Sequence, residues 1–287
     1  MNYENLSSLV KSGQKALAKG PIALILAEDA VELKSTLEHH LKLGFCSVIL
    51  FGGADVELPE ELAEQVHFVR HDMRESGAAA HVVNRVAAAC PGLWIYYCYN
   101  TEYLFYPFCE SRTIGELLAF NTEERRDTVL TYVVDIYARN LNDHPEAVSL
   151  ETACLDRSGY YALGRKRKDG EFEERQLDFY GGLRWRFEEH IPKARRRIDR
   201  VSIFKAIPGI ELRPDYTFNL PEYNTYSCPW HHNVTAAVCS FRAAKALRRN
   251  PGSRSDIDTF HWHNSVHFDW TSQQLLDLGL IEPGQWF

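Results

Sequence analysis

The feature that most constrains this chain is an alternation running through its first hundred residues, in which short apolar runs are separated by stretches of helical period. Pro21-Ile22-Ala23-Leu24-Ile25-Leu26 is a short run that suits a buried strand. The next stretch carries Leu33, Leu37 and Leu41 at intervals of four, with His40 beside them. It reads as a helix that Asp29 caps and Gly44 ends. Cys46-Ser47-Val48-Ile49-Leu50-Phe51 is a second buried strand, broken by Gly52-Gly53, and Val66-His67-Phe68-Val69 is a third. An Ala-rich helix from Gly77 to Cys90 leads to a fourth strand, Leu93-Trp94-Ile95-Tyr96-Tyr97-Cys98. Strands alternating with helices imply parallel β-α-β units, whose ligands sit beyond the carboxyl ends of the strands. Those ends are Ala27-Glu28-Asp29, Phe51-Gly52-Gly53 and Tyr99 to Glu102, and Glu28, Gly52 and Glu102 are expected to meet at one edge.

The remainder is less regular. Thr113 to Phe120 reads as a helix, Val129 to Ala138 as a strand, and the glycine-rich stretch 158–182 as hairpins and loops. Ala236 to Arg249 reads as a helix ended by Asn250-Pro251-Gly252, and the tail from Ile257 is too apolar to be disordered. With no repeat or linker in its 287 residues, a single domain is the simplest organisation, with halves at 1–107 and 108–287. A formal charge of −7 argues against binding nucleic acid by phosphate neutralisation. The basic run from Lys193 to Arg200 reads first as a solvated helix face and second as an anion or membrane contact. No apolar run is long enough for a transmembrane segment and the N-terminus lacks a signal layout, so the expected location is cytoplasmic. Seven cysteines without a C-x-x-C pair suggest reduced core residues.

Two segments carry a family resemblance. Residues 25–53, with Glu28, His39, His40, Leu43, Gly44 and Phe45, resemble the opening of the family-2-like glycosyltransferases, although Ala27 replaces the usual Asn. Residues 94–107 resemble the strand that in that family ends in Asp-x-Asp-Glu-Phe-Leu. Glu102, Tyr103 and Leu104 match its last three positions, and Tyr99 and Thr101 stand where the two acids belong. Residues 179–187 and the segment around Lys205 resemble the acceptor-side half. The resemblance implies a glycosyltransferase A-type fold, an α/β protein with a mainly parallel, Rossmann-like sheet flanked by helices and an irregular acceptor-side part. It further implies a nucleotide sugar, UDP-linked by preference, as donor, and a glycan, lipid or small molecule as acceptor.

In such proteins the Asp pair holds Mg²⁺ or Mn²⁺ on the diphosphate. Tyr99-Asn100-Thr101 cannot supply two carboxylates, so a degenerate motif and weak Mn²⁺ or Mg²⁺ binding are expected. Glu102 is the remaining acid, set against a purely structural role for it. Ala27, Glu28, Asp29, Phe51, Gly52, Gly53, Asn100, Thr101 and Lys205 are the expected nucleotide-binding residues. Arg184 and Arg186, alternating on a strand, are further phosphate partners, against the alternative of surface arginines. A metal shell completed by Glu102 with His231 or His263 is weighed against histidines that merely pack beside Trp230 and Trp262. An inverting transfer needs a carboxylate base, for which Asp178 and Glu188 are candidates with Glu189 and Asp215. A catalytically inactive relative that binds a sugar nucleotide or a protein is the second reading, and a histidine-based metallohydrolase is the third.

Overall fold

The computed structural model describes residues 1–226 and 233–286. In chain order its strands are β1 (Asn2–Tyr3), β2 (Ile22–Ala27), β3 (Ser47–Gly52), β4 (Val66–Arg70), β5 (Trp94–Tyr99), β6 (Glu102–Phe105), β7 (Thr128–Ala138), β8 (Ala153–Asp156), β9 (Tyr161–Lys166), β10 (Phe172–Tyr180), β11 (Asp199–Lys205), β12 (Ala236–Ser240) and β13 (Ser265–His267). Its helices are α1 (Leu6–Ser12), α2 (Gln14–Leu17), α3 (Leu33–Lys42), α4 (Ala78–Ala89), α5 (Ile114–Glu123), α6 (Leu183–Arg186), α7 (Arg242–Arg249), α8 (Pro251–Asp256) and α9 (Ser272–Asp277). The chain forms two compact units, each drawn from separate segments. The first comprises Met1–Tyr103, Ser111–Leu130 and Val201–Asn224, and the second comprises Leu104–Glu110, Thr131–Arg200 and Thr225–Phe287.

The first unit is the α/β layer structure expected of the alternation. Its strands run in the order β1-β4-β3-β2-β5-β11, all parallel except β11, which is antiparallel to β5. Every residue of β2 and β3 is buried, which is why neither shows the in-out alternation of a half-exposed strand. Helix α4 buries Ala78, Ala79, Val82, Val83, Val86 and Ala87 in the core that also takes Leu24, Leu26, Ile49 and Phe51. The 201–224 segment completes that core with Phe204, Leu212 and Phe218. It is pinned by Asn84, which donates to the Leu212 carbonyl at 3.0 Å and accepts from the Leu212 N–H at 2.7 Å.

Helix α3 buries Leu33, Thr36, Leu37 and His40, one stripe of an amphipathic helix. Its N-cap is Glu32, held in left-handed backbone at φ 47°, and not Asp29 as the sequence suggested. Asp29 instead accepts from the Val31 N–H at 3.0 Å, so it closes the preceding turn. Gly44, at φ 87°, ends the helix as expected.

His40 has no exposed surface. Its Nδ1 lies 2.7 Å from the Thr36 carbonyl and therefore carries the proton, while Nε2 faces the Tyr96 hydroxyl at 3.3 Å. Burial pushes its pKa down to about 3, aided by His39. The unfolded imidazole takes up a proton near pH 6.5, which the folded one refuses. The stability it contributes is complete above that pH and is lost as pH falls toward 3. Urea unfolding should show a loss of up to about 1.4 kcal/mol per pH unit over that window. His40→Gln should remove this slope, and an unchanged slope in the variant would contradict the assignment.

In the second unit β7 pairs in parallel with β12 and antiparallel with β8, which pairs antiparallel with β13. Strands β9 and β10 form the hairpin expected between 158 and 182. Tyr137, Leu141, Leu183, Leu247, Ile257 and Phe260 share a core. The expected helix from Ala236 to Arg249 is instead strand β12 followed by α7. Ala236–Ser240 is buried on every residue, and its pairing with β7 outweighs alanine's helix propensity. Asn250 does end α7, as its extended C-cap. It also caps α8 by accepting from the Gly252 N–H, with Pro251 in the first helical turn. Among the described residues, no helix is long and apolar enough to cross a membrane.

Candidate functional site

The carboxyl ends of β3, β2 and β5 lie side by side, with Ala27 opposite Gly52 and Leu26 opposite Tyr99. This register brings Glu28, Asp29, Gly52, Gly53 and Asn100 to one edge of the sheet, as the alternation implied. Beyond β2 the chain is held by one side chain. Asn100, 1% exposed, accepts from the Glu28 N–H at 3.0 Å and donates to Asp29 Oδ1 at 2.6 Å and to the Val31 carbonyl at 3.1 Å. Both of its amide protons are used, so Asn100 acts as a clasp on the 28–31 loop. Thr101 follows in left-handed backbone at φ 65°, an unfavourable conformation for a β-branched residue. Its N–H donates to Thr36 Oγ1 at 3.0 Å. Glu102 has no exposed surface, and its Oε2 accepts from the Tyr99 N–H at 2.8 Å. That bond ties off the turn leaving β5, so a structural role of this acid is visible in the fold.

The two glycines differ in their tolerance. A Cβ on Gly52 would stand 2.6 Å from Val56 Cγ1 and 2.7 Å from Val56 Cβ, close to a neighbouring backbone. On Gly53 it would meet Asp55 Oδ1 at 3.1 Å and Arg74 Nη2 at 3.4 Å, the mobile ends of exposed side chains. Arg70 underpins this turn by donating to the carbonyls of Gly53 at 2.7 Å and Val56 at 2.8 Å. Phe51 is wholly buried and supports the edge from below.

Strand β4 ends at the same edge, with Arg70 opposite Gly52. It delivers His71, Asp72 and Arg74, and the His71 N–H donates to the Gly52 carbonyl at 2.9 Å. Arg74 Nε lies 3.0 Å from Asp72 and Nη1 lies 3.2 Å from Asp55, in pairs about half exposed on both sides. Desolvation, then the neighbouring His81, holds the His71 imidazole below its ordinary pKa. The strand is legible in the sequence, but the residues beyond its carboxyl end carry no motif of their own. The rule applied to the other strands, extended to this one, finds Arg74. Tyr216 could not be found so: its hydroxyl lies 2.8 Å from that of Tyr99 although 117 residues separate them.

Lys205 does not belong to this edge. It pairs with Trp94, at the amino end of β5, five residues from Tyr99 or ~16 Å at strand rise. Its Nζ faces Asp127 at 3.7 Å. The antiparallel direction of β11, invisible to a linear reading, sends it to the far end of the sheet.

In the second unit Asp178 accepts from Arg165 Nε at 2.7 Å and Arg197 Nη1 at 3.0 Å, and Arg165 Nη2 also reaches Asp199 at 2.6 Å. Burial raises the Asp199 pKa, against the pull of Arg197 and Arg165. Glu188 is exposed and pairs with Arg196 at 2.8 Å. The basic run is therefore partly spent in ion pairs and is not a wholly solvated face. Arg184 and Arg186 lie on helix α6, not on a strand. They face two buried acids that sequence reading missed: Arg184 pairs with Asp135 at 3.2 Å and Arg186 with Asp156 at 3.2 Å. Gly181 and Gly182 permit this approach. A Cβ on Gly181 would fall 2.2 Å from the Tyr160 ring, and one on Gly182 3.1 Å from Asp135 Oδ2. Asp156 Oδ1 also accepts from the Tyr137 hydroxyl at 2.5 Å and the Trp262 indole N–H at 2.7 Å. Burial, and then the Asp156 charge, raises the Tyr137 pKa and keeps its proton in place.

His261 and His263 precede strand β13 and do not alternate along it. His263 is exposed with its ring edge against Trp262. His231, like Trp230, lies outside the described residues. Among the described residues no three His, Cys, Asp or Glu side chains are grouped to hold a metal ion.

No family model matches this chain, and no curated protein does. Among solved structures, a chain of S. aureus TarS, residues 1–349 in complex with UDP, is 12% identical with a TM-score of 0.29, the match covering 52% of this chain and 43% of that one. A likeness at that level carries no argument about this protein.

Proposed function

We propose that the first unit binds a nucleoside diphosphate sugar, with UDP as the expected carrier, and that the chain transfers the sugar to an acceptor as a glycosyltransferase of the A-type fold. The observation that carries this reading is the shared edge of three adjacent parallel strands. There a clasped loop and two successive glycines present backbone to a ligand. The base lies against Ala27-Glu28-Asp29 and Phe51-Gly52-Gly53. Arg74 is the cation at hand for the diphosphate, because exposed ion pairs are worth little and its pairs with Asp55 and Asp72 are readily exchanged for a phosphate. Asp178 and Glu188 remain proposals for the acceptor base.

Thermal unfolding with and without UDP is the test, since a ligand of the folded state raises the melting temperature by mass action. Gly53→Trp fills the edge, and its Cβ would first meet side-chain atoms, those of Asp55, Arg74 and Asp72. It should leave the unliganded melting temperature nearly unchanged and abolish the UDP-dependent rise. A rise of the same size in the variant would rule out this edge as the site.

One observation favours a second reading, a binding-only relative. Tyr99 and Thr101 stand where the resembling family keeps its acid pair, and the adjoining Asn100 and Glu102 are committed to internal bonds. Mn²⁺ should therefore strengthen UDP binding only slightly. Donor turnover decides between the readings: release of free sugar or a glycosylated acceptor from a UDP-sugar supports the transferase, and stoichiometric binding without release supports the second.

A further inference from the structure

The second unit contains an open cleft of about 500 Å³. It is lined by Arg139 and Asn140, just beyond β7, with Asp143, His144, Thr152 and His261 among its other walls. Backbone bonds fix these walls. The Arg139 N–H donates to the Thr152 carbonyl at 3.1 Å and the His144 N–H to the Asn140 carbonyl at 3.1 Å. The His261 N–H donates to Thr259 Oγ1 at 3.0 Å.

The cleft stands apart through its unspent donors. The Arg139 guanidinium has no hydrogen-bond or ion-pair partner among the described residues, while Arg165, Arg184, Arg186 and Arg197 all face carboxylates. The Thr152 hydroxyl is buried and also lacks a partner, at a cost of about 1–3 kcal/mol. His144 and His261 bring two imidazoles to the lining. Asp143 is the one acid in the lining, and its Oδ2 already accepts from Asn140 Nδ2 at 2.7 Å. The volume suits a small molecule, and a guanidinium beside a hydroxyl and two imidazoles matches an oxyanion.

The geometry points to a second ligand site here, for a small hydroxylated molecule bearing a phosphate or a carboxylate, with Arg139 as counter-ion and Thr152 as buried donor. Phosphate and carboxylate share this chemistry, and a pair of ligands on one ring separates them. The site lies wholly within the second unit and does not rest on the nucleotide reading.

Calorimetry of the full chain with glucose 6-phosphate, glucuronate and neutral glucose is the direct test. One or both anions should bind and glucose should not. Preference for the first identifies a phosphate and preference for the second a carboxylate. Arg139→Gln, at an exposed position, should weaken the anion roughly 10- to 100-fold, as loss of a charged hydrogen-bonding partner does. Thr152→Val should weaken it severalfold while leaving the unliganded protein at least as stable, an outcome that a merely structural threonine would not give. The UDP-dependent rise in melting temperature should be the same in both variants as in the parent, which keeps this test distinct from that of the strand-edge site. Failure of both anions to bind, equal binding of glucose, or undiminished affinity in Arg139→Gln would each overturn the assignment.

Discussion

Replacing Asp156 by alanine is expected to cost about 3–5 kcal/mol, the range for removing one partner of a buried ion pair. At roughly 2–4 °C per kcal/mol for a chain of this size, that is a fall of about 6–20 °C in melting temperature. The carboxylate is almost inaccessible and serves three donors on different segments: the Tyr137 hydroxyl, the Arg186 guanidinium and the Trp262 indole. Its loss leaves a guanidinium stacked on Trp262, at 4.4 Å from the ring centroid, with one remaining bond to the Phe260 carbonyl at 2.7 Å. Asp156→Asn keeps an acceptor for Tyr137 or Trp262 but loses the charge opposite Arg186, and should fall between. Equal melting temperatures for parent and alanine variant would show that this network contributes nothing to the fold.

The second large effect is expected at Asn100, where alanine removes three hydrogen bonds at once and strands the Glu28 N–H and the Val31 carbonyl. We expect a loss of about 2–4 kcal/mol in stability, from bonds worth about 1 kcal/mol each plus the desolvated groups left behind. The functional loss should exceed the structural one. With the 28–31 loop released, the UDP-dependent rise in melting temperature should disappear even at temperatures where the variant remains folded by circular dichroism. A variant that is destabilised yet keeps the full UDP response would show that the loop is not part of the site.

The first four long strands, the helices between them and the edge where they end were legible because buried parallel strands leave a strong mark: apolar runs closed by Gly or by polar residues. Helix α5 was legible too, since Thr113 and Glu116 form the capping box that opens it. What remained hidden depended on partners far along the chain. Lys205 was read by its neighbours in sequence, and only the antiparallel pairing with Trp94 shows which end of the sheet it occupies. Arg184 and Arg186 read as strand residues with free charges because the acids that bind them, Asp135 and Asp156, are 49 and 30 residues away. Ala236–Ser240 carries no β-specific pattern of its own, and its neighbour β7 decides it. At the candidate site the glycines and Glu28 were visible as loop chemistry, whereas the role of Asn100 as a clasp required the geometry of its three bonds.

The late arrival of β11 has a consequence for biosynthesis. Roughly 100 residues separate Tyr99 from Lys205, and at ~5–20 residues per second a ribosome needs on the order of 10 s to make them. Throughout that interval one flank of β5 at Trp94-Ile95-Tyr96 has unpaired backbone groups, because the strand that pairs with it there has not yet been made. An uncovered apolar edge is a template for pairing between nascent chains, most acutely on crowded polysomes. Slower translation through the intervening region, or depletion of chaperones that shield emerging chains, should therefore lower the soluble yield of this protein more than its final stability would suggest.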